Sequence, residues 1–190
     1  MSGAKGESGS AAFAAPHRFS EKNMRAGIAL GSNIEPRLVY LQAARRRLFS
    51  LHSGTQPVLC SKVYETSPVD CPAESPPFLN AALEFSTEMP PQELLNELKS
   101  IERALGRSPT QERNSPRTID IDLLYFDDIA LSESNLTIPH PQIARRRFVL
   151  QPLVDIRPEL ILPHFTKNVQ ELLAELKGDE IVDKYCNVIY

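Results

Sequence analysis

The chain has 190 residues, 42% of them hydrophobic and 24% charged, which suits one domain with a real core and is little for two. Its net charge of −3 excludes a global basic field for nucleic acid or membrane, so an anionic ligand would need a local cluster of arginines. Three scattered cysteines (Cys60, Cys71, Cys186) argue against a disulfide framework or zinc site and fit a reducing, cytoplasmic setting, and no apolar run reaches the roughly 18 residues of a membrane span.

Residues 1–24 are rich in Gly, Ala and Ser and include Glu7 and Glu21. A disordered tail is expected there rather than a secretory signal, with Met24 a candidate start and residues 25–190 a single domain. AGIAL (26–30) reads as a strand running into a turn at Gly31-Ser32-Asn33. Leu38, Leu41, Ala44, Leu48 and Leu51 recur at three and four residues and predict a helix, with Pro36 in its first turn. VLCSKVYET (58–66) and LNAALEFST (79–87) predict two more strands. Pro90 and Pro91 open a second helix carrying Leu94, Leu95, Leu98, Ile101 and Leu105, which stops at Gly106.

A polar loop, Arg107 to Pro116, leads into PRTIDIDLLYFDD (116–128), where Ile119, Ile121 and Leu123 alternate with Asp120 and Asp122. That is the two-residue period of a strand with one face buried. Asp127-Asp128 predicts a turn into a short strand near Ile129–Leu131, and LTIPHP leads to another turn. Ala144–Leu153 is ambiguous, Val169–Leu176 predicts a helix ended by Gly178, and Ile181-Val182 suits a strand that closes a sheet. The order β-α-β-β-α-β with C-terminal additions predicts an α+β, ferredoxin-like sandwich with a mainly antiparallel sheet.

Asp120 and Asp122 sit about 6.6 Å apart on one strand face, and aspartate is a poor strand former. A solvated face is one reading. The other is a metal-nucleotide site, because two carboxylates this close repel unless a cation lies between them, and Mg²⁺ takes one or two carboxylates together with phosphate oxygens. Arg117, on the same face, and the loop residues Arg107 and Arg113 would then serve as phosphate donors. PHPQIARRRF (139–148) adds His140, held between two prolines, and Arg145–Arg147; its Phe148 suits either the core or a flat ligand ring. The amides of Gly31-Ser32-Asn33 could hold a ligand edge. No Gly-Lys-Ser or Gly-Lys-Thr is present, so this is no Walker-type kinase.

From about Arg25 to Leu176 the chain resembles the 6-hydroxymethyl-7,8-dihydropterin pyrophosphokinases of folate synthesis. The matching stretches are ALGSN (29–33), VYETSP (63–68), FLNAAL (78–83), IERALGR (101–107), PRTIDIDLLYFD (116–127), IPHP (138–141) and RRFVLQPL (146–153), in order and at the right spacing. The resemblance implies a ferredoxin-like fold and transfer of the pyrophosphoryl group of ATP to the pterin hydroxymethyl group, leaving AMP. It implies Mg²⁺, with two ions expected, on Asp120 and Asp122, and nucleotide binding first to strengthen pterin binding. By position, Glu102, Arg107, Arg117, His140 and Arg146 match residues around the nucleotide, Arg107 and Arg117 also acting in catalysis. Thr66, Pro68, Val69, Phe78, Asn80 and Phe148 match the pterin pocket, with Gly31, Ser32 and Asn33 at its wall. A flat pterin would lie between Phe78 and Phe148, and Asn80 would offer its edge both a donor and an acceptor.

The chain departs from the family pattern at Asp70, Pro109, Asn114 and Ser115, in loops beside the site. These departures bear on loop closure and turnover more than on metal binding, and keep a catalytically impaired relative as an alternative. A ferredoxin-like nucleic-acid-binding module is a weaker one, since the acidic pair would repel RNA and no aromatic-rich strand is present. A monomer is expected, with a homodimer left open.

Overall fold

A computed structural model of the chain describes residues 23–69, 71–72, 74–108, 115–178 and 180–187. The expected tail falls outside these apart from residues 23 and 24, as do Asp70, Pro109, Arg113 and Asn114. In chain order the elements are β1 (Met24–Ser32), α1 (Arg37–Phe49), β2 (Leu59–Cys60), β3 (Val63–Thr66), β4 (Phe78–Thr87), α2 (Pro91–Ala104), β5 (Asp120–Phe126), β6 (Leu131–Ser132), β7 (Thr137–Ile138), α3 (Arg147–Ile156), α4 (Val169–Glu175) and β8 (Val182–Cys186).

The main sheet runs β5-β1-β4-β3-β8, with β2 also on β4, and every pairing is antiparallel. The two central strands, β1 and β4, are joined through α1 and the β2–β3 segment. This is the expected ferredoxin-like α+β arrangement. One sheet face packs on α1 and α2 through Leu41, Ala44 and Leu48 of the first helix and Leu94, Leu98 and Ile101 of the second. The strand period supplies the other half of that core, including Ile28, Leu30, Leu83, Phe85, Ile121 and Leu123. The opposite face is covered at one end by α3 and α4, around Ala82, Tyr125, Val149, Leu150 and Leu153. The other end of that face is left open, and the site lies there.

Several expectations need correction. VLCSKVYET is not one strand. The Ser61 hydroxyl accepts from the Ala82 amide at 2.8 Å, and the Lys62 amide turns away to Asp155 of α3 at 3.1 Å, so the ladder breaks into β2 and β3. Thr137-Ile138, in the stretch expected to lead to a turn, is β7 and pairs with β6 in a hairpin. The ambiguous 144–153 stretch is a single 3₁₀ turn (Ile143–Arg145) followed by α3. Pro152 removes one helical hydrogen bond there, but the burial of Val149, Leu150 and Leu153 outweighs it. The Ile181-Val182 strand does close the sheet, as β8 on the outer edge of β3.

β5 carries a bulge. Ile28 pairs with Leu123 and Gly27 with Tyr125, so Leu124 is the extra residue. Its carbonyl accepts from the His140 amide at 2.8 Å, which brings the β7–α3 connection onto the edge of β5. The Tyr125 ring lies across Gly27, and its hydroxyl donates to the buried Glu84 at 2.5 Å, which in turn holds Arg157. A Cβ at Gly27 would stand 2.0 Å from the Tyr125 ring. Gly27→Ala is therefore expected to destabilise the fold by about 2–3 kcal/mol, read as a lowered urea midpoint.

Candidate active site

Three strands build the floor of a cavity on the open sheet face. Across β4, β1 and β5 the register makes two rows: Asn80–Gly31–Asp120 and Ala82–Ala29–Asp122. The middle column is Gly31 and Ala29, so no bulky side chain fills the space between polar flanks. A Cβ on Gly31 would sit 3.0 Å from Asn80 Oδ1 and 3.8 Å from the Asp120 and Phe78 side chains. The walls come from Thr66, Ser67, Val69 and Cys71 on one side and Arg117, Arg146, Phe148 and Val149 on the other. The cavity encloses about 640 Å³ of atom-free space, counting its mouth, which is in the range of small-molecule sites.

The recognition edge differs from expectation. Asn80 Nδ2 donates to Thr66 Oγ1 at 2.7 Å. Asn80 thus spends one of its two amide hydrogens on Thr66 and keeps its carbonyl and the second N–H, while the Thr66 hydroxyl proton, itself unspent in that bond, becomes a neighbouring donor. The recognition edge is shared between two strands. Phe78 and Phe148 both line the cavity, and the Arg146 guanidinium lies 5.5 Å from the Phe148 ring centre.

Gly31-Ser32-Asn33 is not an exposed turn with free amides. Gly31 and Ser32 are the end of β1, paired to Asn80 and Leu79, and Ser32 and Asn33 are buried. The Asn33 amide donates to the Arg117 carbonyl at 3.2 Å, and its Oδ1 accepts from the Arg117 amide at 2.7 Å. Of the three, Gly31 reaches the cavity, while Asn33 fixes the backbone that presents Arg117. Pro68 is not among the lining residues although Val69 is.

The two aspartates stand in different environments. Asp120 Oδ1 accepts from Arg107 at 2.6 Å and Oδ2 from Arg117 at 2.9 Å. The same Arg107 nitrogen also bonds Glu102, and Glu102 accepts from the Ile121 amide at 2.8 Å. Glu102 is 3% exposed, and burial pushes its carboxyl above the usual range. It does not line this cavity and acts as the anchor that aims Arg107. Among the described residues, no hydrogen bond or ion pair reaches the Asp122 carboxylate. Burial, then the Asp120 charge, push it up to about 6, against a smaller pull from Arg146.

Asp122 also lines a second cleft, on the far side from the aromatic rings, with Lys99, Leu95, Asn135, Thr137 and His140. His140 Nδ1 accepts from the Gln142 amide at 3.2 Å, so its proton sits on Nε2. Burial and Arg146 push its pKa down, keeping the ring a neutral donor. The aromatic cavity and the cleft share a single lining residue, Asp122.

A profile of the 7,8-dihydro-6-hydroxymethylpterin-pyrophosphokinase (HPPK) family matches residues 27–158. The chain belongs to this family. It is 35% identical to a 2-amino-4-hydroxy-6-hydroxymethyldihydropteridine pyrophosphokinase of Synechocystis, over 85% of this chain and 80% of that protein. It is 34% identical to the enzyme of the same name from Haemophilus influenzae, over 82% and 94%. Among solved structures, Plasmodium falciparum wild-type HPPK-DHPS with pteroate superposes with a TM-score of 0.64 at 18% identity. That match covers 82% of this chain and 43% of the Plasmodium chain, and it bears on the fold.

Within this pyrophosphokinase framework, sequence reasoning missed Ala29, Cys71 and Lys99. For Ala29 the signal was present: Gly27, Ala29 and Gly31 alternate on one strand face, where small residues mark something lying close above. Lys99 stands three residues before Glu102 and 3.8 Å from it, a spacing that reads as an ordinary helix pair. Cys71 reaches the cavity only through the path of its loop.

The Asp122 environment sets a pH dependence. Its folded pKa is raised, so its neutral form favours folding below pH 4, and that contribution is lost as pH rises through about 6. Asp122→Asn should flatten the stability profile between about pH 4 and 6 and stabilise the ligand-free protein by about 2 kcal/mol at pH 7, read by urea denaturation.

Proposed function

We propose that this protein transfers the pyrophosphoryl group of ATP to 6-hydroxymethyl-7,8-dihydropterin, giving AMP and the pterin diphosphate in folate biosynthesis. The observation that carries the proposal is the place of Asp122, where a flat-ring cavity and a cleft with cationic and neutral donors meet. A group passing from one pocket to the other must pass over the carboxylate pair. The family membership supports the same reading.

The aromatic cavity takes the pterin, with Phe78 and Phe148 on its faces and the Asn80 carbonyl and Thr66 hydroxyl at its edge. The cleft takes the nucleotide, with the His140 Nε2 proton and the Lys99 charge as donors, while Arg146, on the aromatic-cavity wall, serves the phosphates where the two pockets meet. The pterin hydroxyl oxygen attacks the β-phosphorus, the β-to-α bridging bond breaks, and AMP leaves. Arg107 and Arg117 hold the charge of the moving group. Since Arg107 is engaged with Asp120 and Glu102, it must loosen one contact to do so.

The donor set fits Mg²⁺. Among the described residues, no cluster of three or more His, Cys, Asp or Glu forms a closed metal cage, and a hard ion that keeps water and phosphate ligands needs only the Asp120–Asp122 pair. When bound there, Mg²⁺ (two ions are expected) would neutralise the two carboxylates and activate the phosphoryl centre as a Lewis acid. No helix of the described residues is long and apolar enough to cross a membrane, and the acidic floor of the open sheet face disfavours a nucleic-acid backbone.

Asp122→Ala should reduce ATP-to-AMP conversion with dihydropterin by about a thousandfold or more, as should EDTA on the unaltered protein, with Mg²⁺ restoring the latter. A variant that turns over at near the native rate would remove the metal assignment. Gly31→Ala should leave the fold intact and displace Asn80, weakening pterin binding by about tenfold in calorimetry with a non-hydrolysable ATP analogue and Mg²⁺ while nucleotide binding holds.

A further inference from the structure

Arg37 opens α1 where a cation is least welcome. The positive end of the helix dipole lies there, Pro36 offers no side-chain cap, and the first turn contains no acid. Yet the side chain is only 14% exposed. Its Nε donates to Glu35 at 2.7 Å, and one terminal nitrogen reaches both Glu65 at 2.7 Å and the Pro77 carbonyl at 3.0 Å. Glu35 is largely exposed and local. The other two partners are not local to α1.

Glu65 immediately precedes Thr66, and Pro77 immediately precedes Phe78. Thr66 and Phe78 pair across β3 and β4 and both line the aromatic cavity. The chain between them carries Val69 and Cys71 of the cavity wall. One guanidinium therefore ties the start of that connection to its end. A guanidinium suits this task, because the Nε bond to Glu35 fixes the plane and so aims the one terminal nitrogen that Glu65 and Pro77 share. Asn33, four residues earlier, reaches the Pro76 carbonyl at 3.5 Å and fixes the Arg117 backbone, so the β1–α1 junction braces both walls of the cavity.

We infer that Arg37 is a positioning residue for the flat-ring substrate: it ties the end of the β3–β4 ladder, at the Thr66–Phe78 pair, to the start of α1, and so fixes the direction in which the chain carrying Val69 leaves the sheet. It touches neither substrate, and it lies away from the cleft assigned to nucleotide. The inference rests on the pterin reading of the cavity. Loss of the fork should widen the ensemble of that wall and so weaken the ring-binding step while sparing the nucleotide step.

The test is calorimetry on the full chain with Mg²⁺, titrating first a non-hydrolysable ATP analogue and then dihydropterin. Arg37→Met keeps the stem and removes the fork. It should weaken pterin binding about tenfold and change nucleotide binding by less than about twofold. Arg37→Lys, which keeps one charged nitrogen for Glu65 and Pro77 but loses the Nε bond to Glu35 that aims it, should fall between. Glu65→Gln, which keeps a neutral acceptor, should weaken pterin binding about threefold and serves if Arg37→Met lacks a cooperative melt. Pterin affinity unchanged in Arg37→Met, or pterin and nucleotide affinity falling together, overturns the positioning role. Unaltered protein that binds nucleotide and no pterin overturns the substrate reading, and this role with it.

Discussion

Two carboxylates on neighbouring outward positions of one strand repel, and the fold resolves only half of that repulsion. Asp120 receives two guanidinium groups, and Asp122, two residues on, receives none among the described residues. The imbalance is held in place by the sheet. Ile121 and Leu123, on either side of Asp122, are locked into the helix-side core, so the strand cannot rotate its acids away. The glycine and alanine of β1 beneath leave no side chain to screen one acid from the other. Asp122 is left as the uncompensated carboxylate of the pair, the group that a small hard cation would engage in the proposed reaction.

The rest of the local structure works outward from that pair. Glu102 is buried so that it can hold Arg107 against Asp120 while receiving the Ile121 amide of the same strand. Asn33 fixes the backbone of Arg117 from the opposite direction. The bulge at Leu124 exposes one carbonyl, and the His140 amide takes it, which sets the imidazole beside the cleft. Each polar group is thus oriented by a contact from an element distant in sequence. That is what preorganisation requires, since water would otherwise have to be reorganised during the reaction.

The two pockets divide the work by chemistry. The aromatic cavity is walled by rings with a short donor–acceptor edge, and the cleft is lined by a lysine, a neutral histidine and small polar residues. Their meeting at one carboxylate favours passage of a group between two ligands over hydrolysis of one. The likeness to pyrophosphokinases across most of the chain agrees with that division. The departures at Asp70, Pro109 and Asn114 lie outside the described residues, and that at Ser115 leaves its carbonyl accepting from Arg117 Nε at 3.3 Å.

Much of this was legible from residue order. The three-and-four spacing of leucines determined both helices of the main layer, and strict alternation determined which face of β5 was buried and that Asp120 and Asp122 shared the other. Local period suffices for these because it reflects only the geometry of a single element. What tertiary structure alone decided was partnership. Gly31-Ser32-Asn33 looked like a turn with free amides, but its neighbours β4 and β5 occupy them. Asn80 looked like a free-standing recognition edge, but Thr66 from the next strand takes one of its amide protons and adds its own hydroxyl to that edge. The sequence placed two equal acids side by side; only the packing of Arg107 and Arg117 made them unequal. Strand register and long-range pairing settle which polar group is satisfied and which remains available, because a hydrogen bond or ion pair depends on positions that meet only after the chain has folded.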